Sequence, residues 1–248
     1  MNQNTETINT GIAKTSNIGL VSMALEQLGG RQNTLPGIGV IYGPAGRGKS
    51  VACAYIANAK NGYYVQMRSA WARKTLYEKI LFEMGIKPAG TIPQLLDQIC
   101  EQLAASRRPL IIDEFDFCLR NDSMIESVRD IYEGSQGTLL LVGEEGIPQK
   151  LRRWDRFHSR VLSWIPALPA SMKDAKAIAP IYCRGVEVAD DLLQHLVESA
   201  HGSIRYLATN LAQIQAFALE NGRQSMALAD WDTNKTYTGE PPKPRRAA

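Results

Sequence analysis

The chain has 248 residues, and its 44% hydrophobic and 21% charged content is that of a globular protein with a sizeable core. A formal net charge of +3 is too small to indicate nucleic-acid binding by itself, so any basic surface must come from local clusters. No apolar run is long enough to cross a membrane, and the polar N-terminus predicts no signal peptide, so we expect no membrane partner.

The cysteines are far apart in the sequence and form no C-x-x-C pair. This spacing is typical of reduced thiols in a cytoplasmic protein. The three histidines show no metal-ligand spacing with the cysteines. The cysteines are Cys53, Cys100, Cys118 and Cys183.

The first predicted elements are an arm and a helix. Residues 1–15 are polar and lack periodicity, which predicts a flexible N-terminal arm. Apolar residues then recur at helical spacing over residues 16–28, and Gly29 and Gly30 end the helix. Two interpretations stay open: this helix packs near a nucleotide base, or it is a plain helix at the edge of the fold.

A complete phosphate-binding loop follows. The run Gly43-Pro44-Ala45-Gly46-Arg47-Gly48-Lys49-Ser50 matches the spacing G-x-x-x-x-G-K-[ST] at every required position. Residues 38–41 indicate a buried strand before it and residues 51–59 a helix after it. Glycines let backbone N–H groups face a phosphate chain, and the helix N-terminus adds positive charge. Lys49 would reach the β- and γ-phosphates and Ser50 would ligate Mg²⁺, so we predict an ATP site over residues 43–51, ending at Val51.

A second motif follows the next predicted elements. Residues 63–67 predict a strand, and residues 71–84 and 91–105 predict amphipathic helices. The strand 109–112 then ends in Asp113 and Glu114, the Walker B pattern. Asp113 would hold Mg²⁺ through water beside Ser50, and Glu114 would orient or deprotonate the attacking water. Asp116 is a weaker acid candidate, with either a structural role or a role in supporting the residues of the site.

The chain then alternates again and reaches its densest basic cluster. Residues 124–132 predict a helix and residues 138–143 a strand, so the order of elements implies a parallel α/β sheet with ligand at the carboxyl ends of the strands. In the basic cluster, residues 150–160, one arginine would be a finger for a neighbouring subunit's γ-phosphate, or the cluster would bind a DNA backbone. A solvated helix face is the third alternative. Residues 161–165 predict a fifth strand.

Helical patterns dominate after Pro166. Residues 171–181, 188–200 and 203–219 predict a small helical domain with no further strand. Arg205, after a glycine turn, either swings over the nucleotide or is a surface arginine. Residues 223–248, with Lys243, Arg245 and Arg246 near the end, predict a flexible basic tail. We expect an arm over 1–15, a nucleotide-binding domain over 16–166, a lid over 167–222 and a tail over 223–248.

Several of these features together resemble an AAA+ ATPase, over roughly residues 16–222. They are Gly43 to Ser50, Ile111-Ile112-Asp113-Glu114, Val142-Gly143, Arg160 after Phe157-His158-Ser159, and Gly202-Ser203-Ile204-Arg205. Within that class the chain resembles the phage Mu B and TnsC-type DNA transposition proteins. That resemblance is carried by residues 37–46 before Gly48-Lys49, by Leu140 to Glu145, and by Arg156-Phe157 with Ser159-Arg160-Val161.

The resemblance implies an α/β P-loop NTPase fold with a parallel five-stranded sheet flanked by helices, plus an α-helical lid. It implies ATP-driven homo-oligomers, with each nucleotide held between subunits. By position Arg160 matches the arginine finger, Arg156 is the fallback, and Arg205 matches the sensor-2 arginine. The place of sensor 1 holds Glu144 or Glu145, which departs from the usual polar residue.

The same resemblance implies function: binding of double-stranded DNA with little sequence preference, helical filaments or rings, recruitment and stimulation of a transposase, and a place in a bacterial host cytoplasm. The N-terminal segment is short for a DNA-binding appendage, so the core would contact DNA. The candidates are Arg68, Arg73, Lys74, Lys150, Arg152 and Arg153. Two alternatives stay open: an AAA+ switch acting on a protein partner in secretion or signalling, and a replication helicase loader.

Overall fold

The computed structural model describes residues 11–32 and 34–240. Residues 17–168 form one compact unit, and residues 11–16 and 169–240 belong to a second. The basic tip of Lys243, Arg245 and Arg246, and most of the predicted arm, lie outside the described residues.

The first unit is built around a parallel sheet of five described strands in the order β2-β3-β4-β1-β5. The strands are β1 Ile38–Tyr42, β2 Tyr63–Gln66, β3 Leu110–Asp113, β4 Leu139–Gly143 and β5 Val161–Pro166. Their short aliphatic runs are almost fully buried in the three central strands, as a sheet covered on both faces requires. The predicted α/β class with a five-stranded parallel sheet is confirmed.

Helices cover both faces of this sheet. They are α1 Ser16–Gly29, α2 Lys49–Ala59, α3 Arg73–Glu83, α4 Ile92–Ser106, a 3-10 helix Phe115–Arg120, α5 Asp122–Ser135, α6 Ile147–Leu151 and α7 Asp155–His158. Because side chains alternate along a strand, Val40 and Ile112 pack with α3, α4 and α5, whereas Ile41 and Ile111 pack with α1 and α2. The sheet is therefore a buried central layer, and the loops after β1, β3 and β4 lie at the carboxyl ends of its strands.

The second unit contains the three predicted helices, as α8 Met172–Tyr182, α9 Asp190–Ser199 and α10 Ile204–Glu220, in its described part. It also contains two short parallel strands, β6 Glu187–Val188 and β7 Ser225–Met226, which the sequence patterns did not predict. Strands of two residues are too short to show alternation.

The prediction of a flexible tail from residue 223 is wrong for the described part of that segment. Met226 and Trp231 are buried in the core of the helical unit, and the Trp231 ring packs edge-on against Phe217 at 5.8 Å. Tyr237 exchanges two hydrogen bonds with the buried Asn210, of 2.7 and 2.9 Å. A few apolar side chains are enough to anchor a polar, proline-containing segment. The prediction used the average composition of the segment, which hides these few side chains.

All four cysteines are free, and Cys53, Cys118 and Cys183 are buried while Cys100 is half-buried. Burial raises the pKa of each of these thiols above its ordinary value. Among the described residues, the structure contains no helix that is both long and apolar enough to span a membrane.

Candidate functional site

The loop between β1 and α2 has the geometry of a phosphate cradle. Gly43, Gly46 and Gly48 all have positive φ angles, of 154°, 83° and 79°. Gly48 occupies the N-cap of α2 in the left-handed region, so the helix begins directly at Lys49. These backbone conformations turn successive N–H groups toward the helix N-terminus, where phosphate binds best.

Lys49 lies folded over this loop. Its ammonium donates to the carbonyls of Gly43 and Pro44 at 2.7 and 2.9 Å. Burial lowers the pKa of Lys49, while attraction to the carboxylates of Asp113, Glu114 and Asp116 opposes the shift. The lysine and the Walker B acids therefore belong to one electrostatic site, and a polyphosphate would replace the two carbonyls as the partner of the ammonium.

Asn17 holds the phosphate loop through hydrogen bonds, a role that the sequence did not predict. Its amide group donates to the carbonyls of Arg47 and Leu168 at 2.8 and 2.9 Å and accepts from the N–H of Leu168 at 2.9 Å. The Arg47 guanidinium donates to the carbonyl of Ala167 at 2.6 Å. Arg47 thus supports the loop through its side chain. Asn17 is buried, and both polar atoms of its side chain have hydrogen-bond partners.

Asp113 ends β3 and is fully buried. Its Oδ1 accepts from the N–H of Glu114 at 2.8 Å, and its Oδ2 accepts from the hydroxyl of Tyr64 at 2.7 Å. Burial, followed by the hydrogen bond to Asp113, raises the pKa of Tyr64, so its hydroxyl remains a donor. Tyr64 lies 49 residues before Asp113 in the sequence, and the pairing of β2 with β3 brings them together.

Glu114 follows Asp113 with a φ of 54°, in the left-handed region. Residues other than glycine adopt this conformation at a cost of about 1 kcal/mol or more. This conformation ends the strand abruptly and starts the 3-10 helix. Burial and the neighbouring charges of Asp113 and Asp116 raise the pKa of Glu114. A higher pKa makes the carboxylate a stronger base, as the predicted role requires.

Asp116 links the segment after Glu114 to the loop after β4. Its Oδ2 accepts from the N–H of Glu144 at 2.6 Å, directly after β4, and its Oδ1 lies 3.4 Å from the Lys150 ammonium. Glu144 and Glu145 are both exposed, and Glu144 is the first residue after β4. The position that the resemblance gives to sensor 1 therefore presents a backbone amide to Asp116 and an acid to solvent.

The two arginine-finger candidates lie at the opposite edge of the sheet from the phosphate loop. Arg160 directly precedes β5, and its carbonyl accepts from the N–H of Ile38 at the start of β1. The five residues of β1 separate it from the loop by about 16 Å at 3.3 Å per residue. Arg160 forms an ion pair with Glu133 and lines a surface depression of about 390 Å³ with Arg156 and Arg129.

The basic residues proposed to contact DNA form adjoining groups. Arg73 and Lys74 line a groove of about 510 Å³ with Trp71, Phe117 and Arg120. The guanidinium of Arg120 stacks over Phe117 at 4.7 Å.

The second basic group consists of Lys150, Arg152 and Arg153. It borders this groove at Asp122, because the neighbours of Asp122, Asn121 and Ser123, line the groove. The Asp122 carboxylate accepts from the Trp154 indole at 3.0 Å and lies 3.7 Å from the Arg153 guanidinium. Arg153 also stacks over Trp154 at 4.5 Å, and Arg68 and Arg152 are exposed. Arg205 is exposed in the first turn of α10, in the other compact unit.

Comparison with known proteins gives one family match. Residues 32–151 match the model of the AAA domain. No curated protein sequence matches the chain.

The fold is similar to several solved structures. ORC2 from Aeropyrum pernix, in ADPNP–ADP complexes, matches with a TM-score of 0.63 and 18% identity over 85% of this chain and 64% of that chain. Cdc6p from Pyrobaculum aerophilum matches with a TM-score of 0.58 and 14% identity over 84% and 62% of the two chains. ORC1 from Aeropyrum pernix, in complex with DNA, matches with a TM-score of 0.58 and 17% identity over 84% and 60%. The chain thus spans less than two thirds of the length of these proteins.

Proposed function

We propose that the chain, whose residues 32–151 match the model of the AAA domain, is an ATP-dependent DNA-binding protein of the Mu B and TnsC kind. It assembles into filaments or rings on duplex DNA without sequence preference, and it selects targets for a transposase and activates it. Hydrolysis resets the assembly and releases DNA.

The residues present fit ATP with Mg²⁺. Backbone N–H groups of residues 43–51 and the ammonium of Lys49 bind the phosphates. Ser50 and Asp113 are the residues that would hold Mg²⁺, which neutralises phosphate charge when bound. Glu114 accepts the proton of the attacking water, and its raised pKa suits that role.

Arg160 acts on the nucleotide of a neighbouring copy. Its place at the amino edge of the sheet puts it far from its own phosphate loop and favours a role in trans. Glu133 holds the guanidinium in the isolated chain, and Arg156 in the same depression is the alternative finger. The resemblance assigns to Arg205 the part of the sensor-2 arginine. A site that needs two copies makes assembly depend on ATP.

The observation that carries the DNA-binding part is the adjacency of the two basic groups. Arg73, Lys74 and Arg120 line the groove, and Arg153 pairs with Asp122 between two groove residues. The exposed pair Arg153–Asp122 contributes only about 0–1 kcal/mol, so a phosphate can replace the acid at little cost. Side chains separated by about 80 residues in sequence thereby offer one basic surface to a phosphate backbone.

Electron microscopy with a non-hydrolysable ATP analogue, with and without duplex DNA of random sequence, tests this function. We expect filaments or rings that need the analogue, and an affinity for DNA that falls with salt at a slope of about −0.9 per neutralised phosphate. Equal DNA binding without nucleotide, or particles that stay single with both ligands, would refute the proposal.

A second candidate is a replication helicase loader, which the similarity of fold to ORC and Cdc6 proteins favours. It shares ATP-dependent assembly on DNA and differs in the partner. Stimulation of strand transfer by a transposase encoded beside this chain would support the first function. Delivery of a helicase to DNA would support the second.

A further inference from the structure

The hydroxyl of Tyr64 touches only one acid of the nucleotide site. Tyr64 pairs with Ile111 in the β2–β3 register, and its side chain extends along β3 to donate to Oδ2 of Asp113 at 2.7 Å. The half-buried ring packs against the cluster formed by α1, α2 and the sheet. Apolar packing therefore holds the ring, and the hydroxyl donates its hydrogen bond to Asp113.

This hydrogen bond and a second one fix both oxygens of the Asp113 carboxylate. Oδ1 accepts from the N–H of Glu114 at 2.8 Å, so the carboxylate plane cannot rotate without losing a partner. Each carboxylate oxygen has two lone pairs, so each keeps one acceptor position after these bonds. The carboxylate is thus oriented before any ligand arrives.

We propose that Tyr64 is a positioning residue that presents the Asp113 carboxylate to the Mg²⁺ of the bound nucleotide. Mg²⁺ requires a nearly ideal octahedral arrangement of oxygen ligands and tolerates misorientation poorly. Groups that hydrogen-bond a metal ligand typically change metal affinity by about 10–100-fold when removed. The proposal rests on the role of Asp113 at the metal.

The test compares Tyr64→Phe with Tyr63→Phe, a matched neighbour. The Phe variant of Tyr64 keeps the ring and its packing and removes only the donor to Asp113. The hydroxyl of Tyr63 accepts from the Gln102 amide at 2.9 Å and does not contact Asp113. A loss of Mn²⁺ affinity in both variants would indicate a disturbance of strand β2. A loss confined to Tyr64→Phe would be caused by the missing hydroxyl of Tyr64.

Binding of Mn²⁺, a paramagnetic substitute for Mg²⁺, is measured by electron paramagnetic resonance on the ADP complex of the full chain. Binding of fluorescent ADP in EDTA is measured in parallel. We expect Tyr64→Phe to weaken Mn²⁺ by about 10–100-fold and to leave the metal-free ADP affinity within about twofold. Tyr63→Phe should change neither quantity.

Three outcomes would overturn the proposal. Unchanged Mn²⁺ affinity in Tyr64→Phe shows that the hydroxyl does not position the ligand. An equal loss of metal-free ADP binding, or of the melting temperature in both Tyr variants, shows a structural role instead. If Asp113→Asn also binds Mn²⁺ normally, the assigned role of Asp113 is wrong and the proposal falls with it, which separates failure of the premise from failure at Tyr64.

Discussion

The carboxylate of Asp116 accepts a hydrogen bond of 2.6 Å from the backbone N–H of Glu144, which ties the segment after Glu114 to the end of β4. The neighbouring Gly143 makes this contact possible. A Cβ atom at residue 143 would overlap Oδ2 of Asp116 and Cδ1 of Ile147. The Walker B segment and the loop after β4 therefore keep one fixed spacing.

We expect Gly143→Ala to displace Asp116 and to destabilise the chain by about 1–3 kcal/mol, the usual cost of overpacking. Because Asp116 is two residues from Glu114, ATPase activity should also fall. Urea unfolding and steady-state ATP turnover measure the two effects. Gly146→Ala is the control, since its Cβ would meet only the flexible Lys150 side chain, at 3.4 Å. Equal stability of the two variants would contradict the contact.

Glu114→Gln should keep nucleotide affinity and lower turnover by about 10²–10⁴-fold, because an amide cannot accept the proton of the attacking water. Turnover is followed by phosphate release and binding by a fluorescent nucleotide. Asp116→Asn is the comparison. Asp116 is the nearby acid that is not the predicted base, because its carboxylate already has the N–H of Glu144 and the ammonium of Lys150 as partners. Normal turnover in Glu114→Gln would assign the base to another acid.

Arg160→Ala should lower ATP turnover by about 10³-fold if the arginine completes the site of a neighbouring copy, judged from arginine fingers in GTPases. Lys49→Ala should bind no ATP yet retain its own finger. Mixing these two inactive variants should restore part of the activity, since Lys49→Ala supplies the missing arginine to its neighbour. A mixture as inactive as its components would place the finger elsewhere, with Arg156 as the next variant to test.

Arg73→Ala and Lys74→Ala should each weaken binding to duplexes of any sequence and reduce the salt slope by about one unit. Lys79→Ala is the matched control on the same helix, where the ammonium lies 5.9 Å from the centre of the Phe82 ring and not in the groove. Fluorescence anisotropy at several salt concentrations gives both quantities. A control that loses as much affinity would mean that general charge, and not the groove, binds DNA.

Asp174 should make the stability of the helical unit depend on pH. Burial would raise its pKa, but hydrogen bonds from the Ser171 hydroxyl and from the Ser16 and Ser171 backbones outweigh it and hold the pKa below its ordinary value. A lowered pKa stabilises the folded state above the ordinary value, and this contribution is lost as pH falls through the folded pKa. Asp174→Asn should therefore destabilise by about 1 kcal/mol at pH 7, a typical value for a helix cap.

The difference between wild type and Asp174→Asn should shrink as pH falls from about 4, the ordinary pKa of an aspartate, through the lower pKa of the folded state, because the wild-type carboxyl then takes up a proton. Urea unfolding at several pH values measures it. Asp190→Asn is the control, since Asp190 is exposed and makes only a surface ion pair with Lys176. A difference that stays constant with pH would contradict the assigned charge of Asp174.

Local patterns were enough to predict the phosphate loop and Asp113-Glu114, because each motif is a continuous run whose residue types follow from its backbone. The five strands followed from apolar runs that a covered sheet requires. Tyr64 could not be found in this way, since its partner lies 49 residues away and the bond depends on strand order. Asn17 bonds to Leu168 across 151 residues for the same kind of reason. Long-range polar contacts leave no periodic signal in the sequence.

The free thiols have a practical consequence. A maleimide reacts with an exposed thiolate, and burial keeps Cys53, Cys118 and Cys183 both protonated and out of reach. Cys100 is half-buried, and its pKa is raised as well. A new cysteine at residue 23, where the native methionine is 69% exposed, would thus take up a dye far faster than the natural thiols. One fluorophore per chain can then report energy transfer between copies, and the native cysteines need not be replaced first.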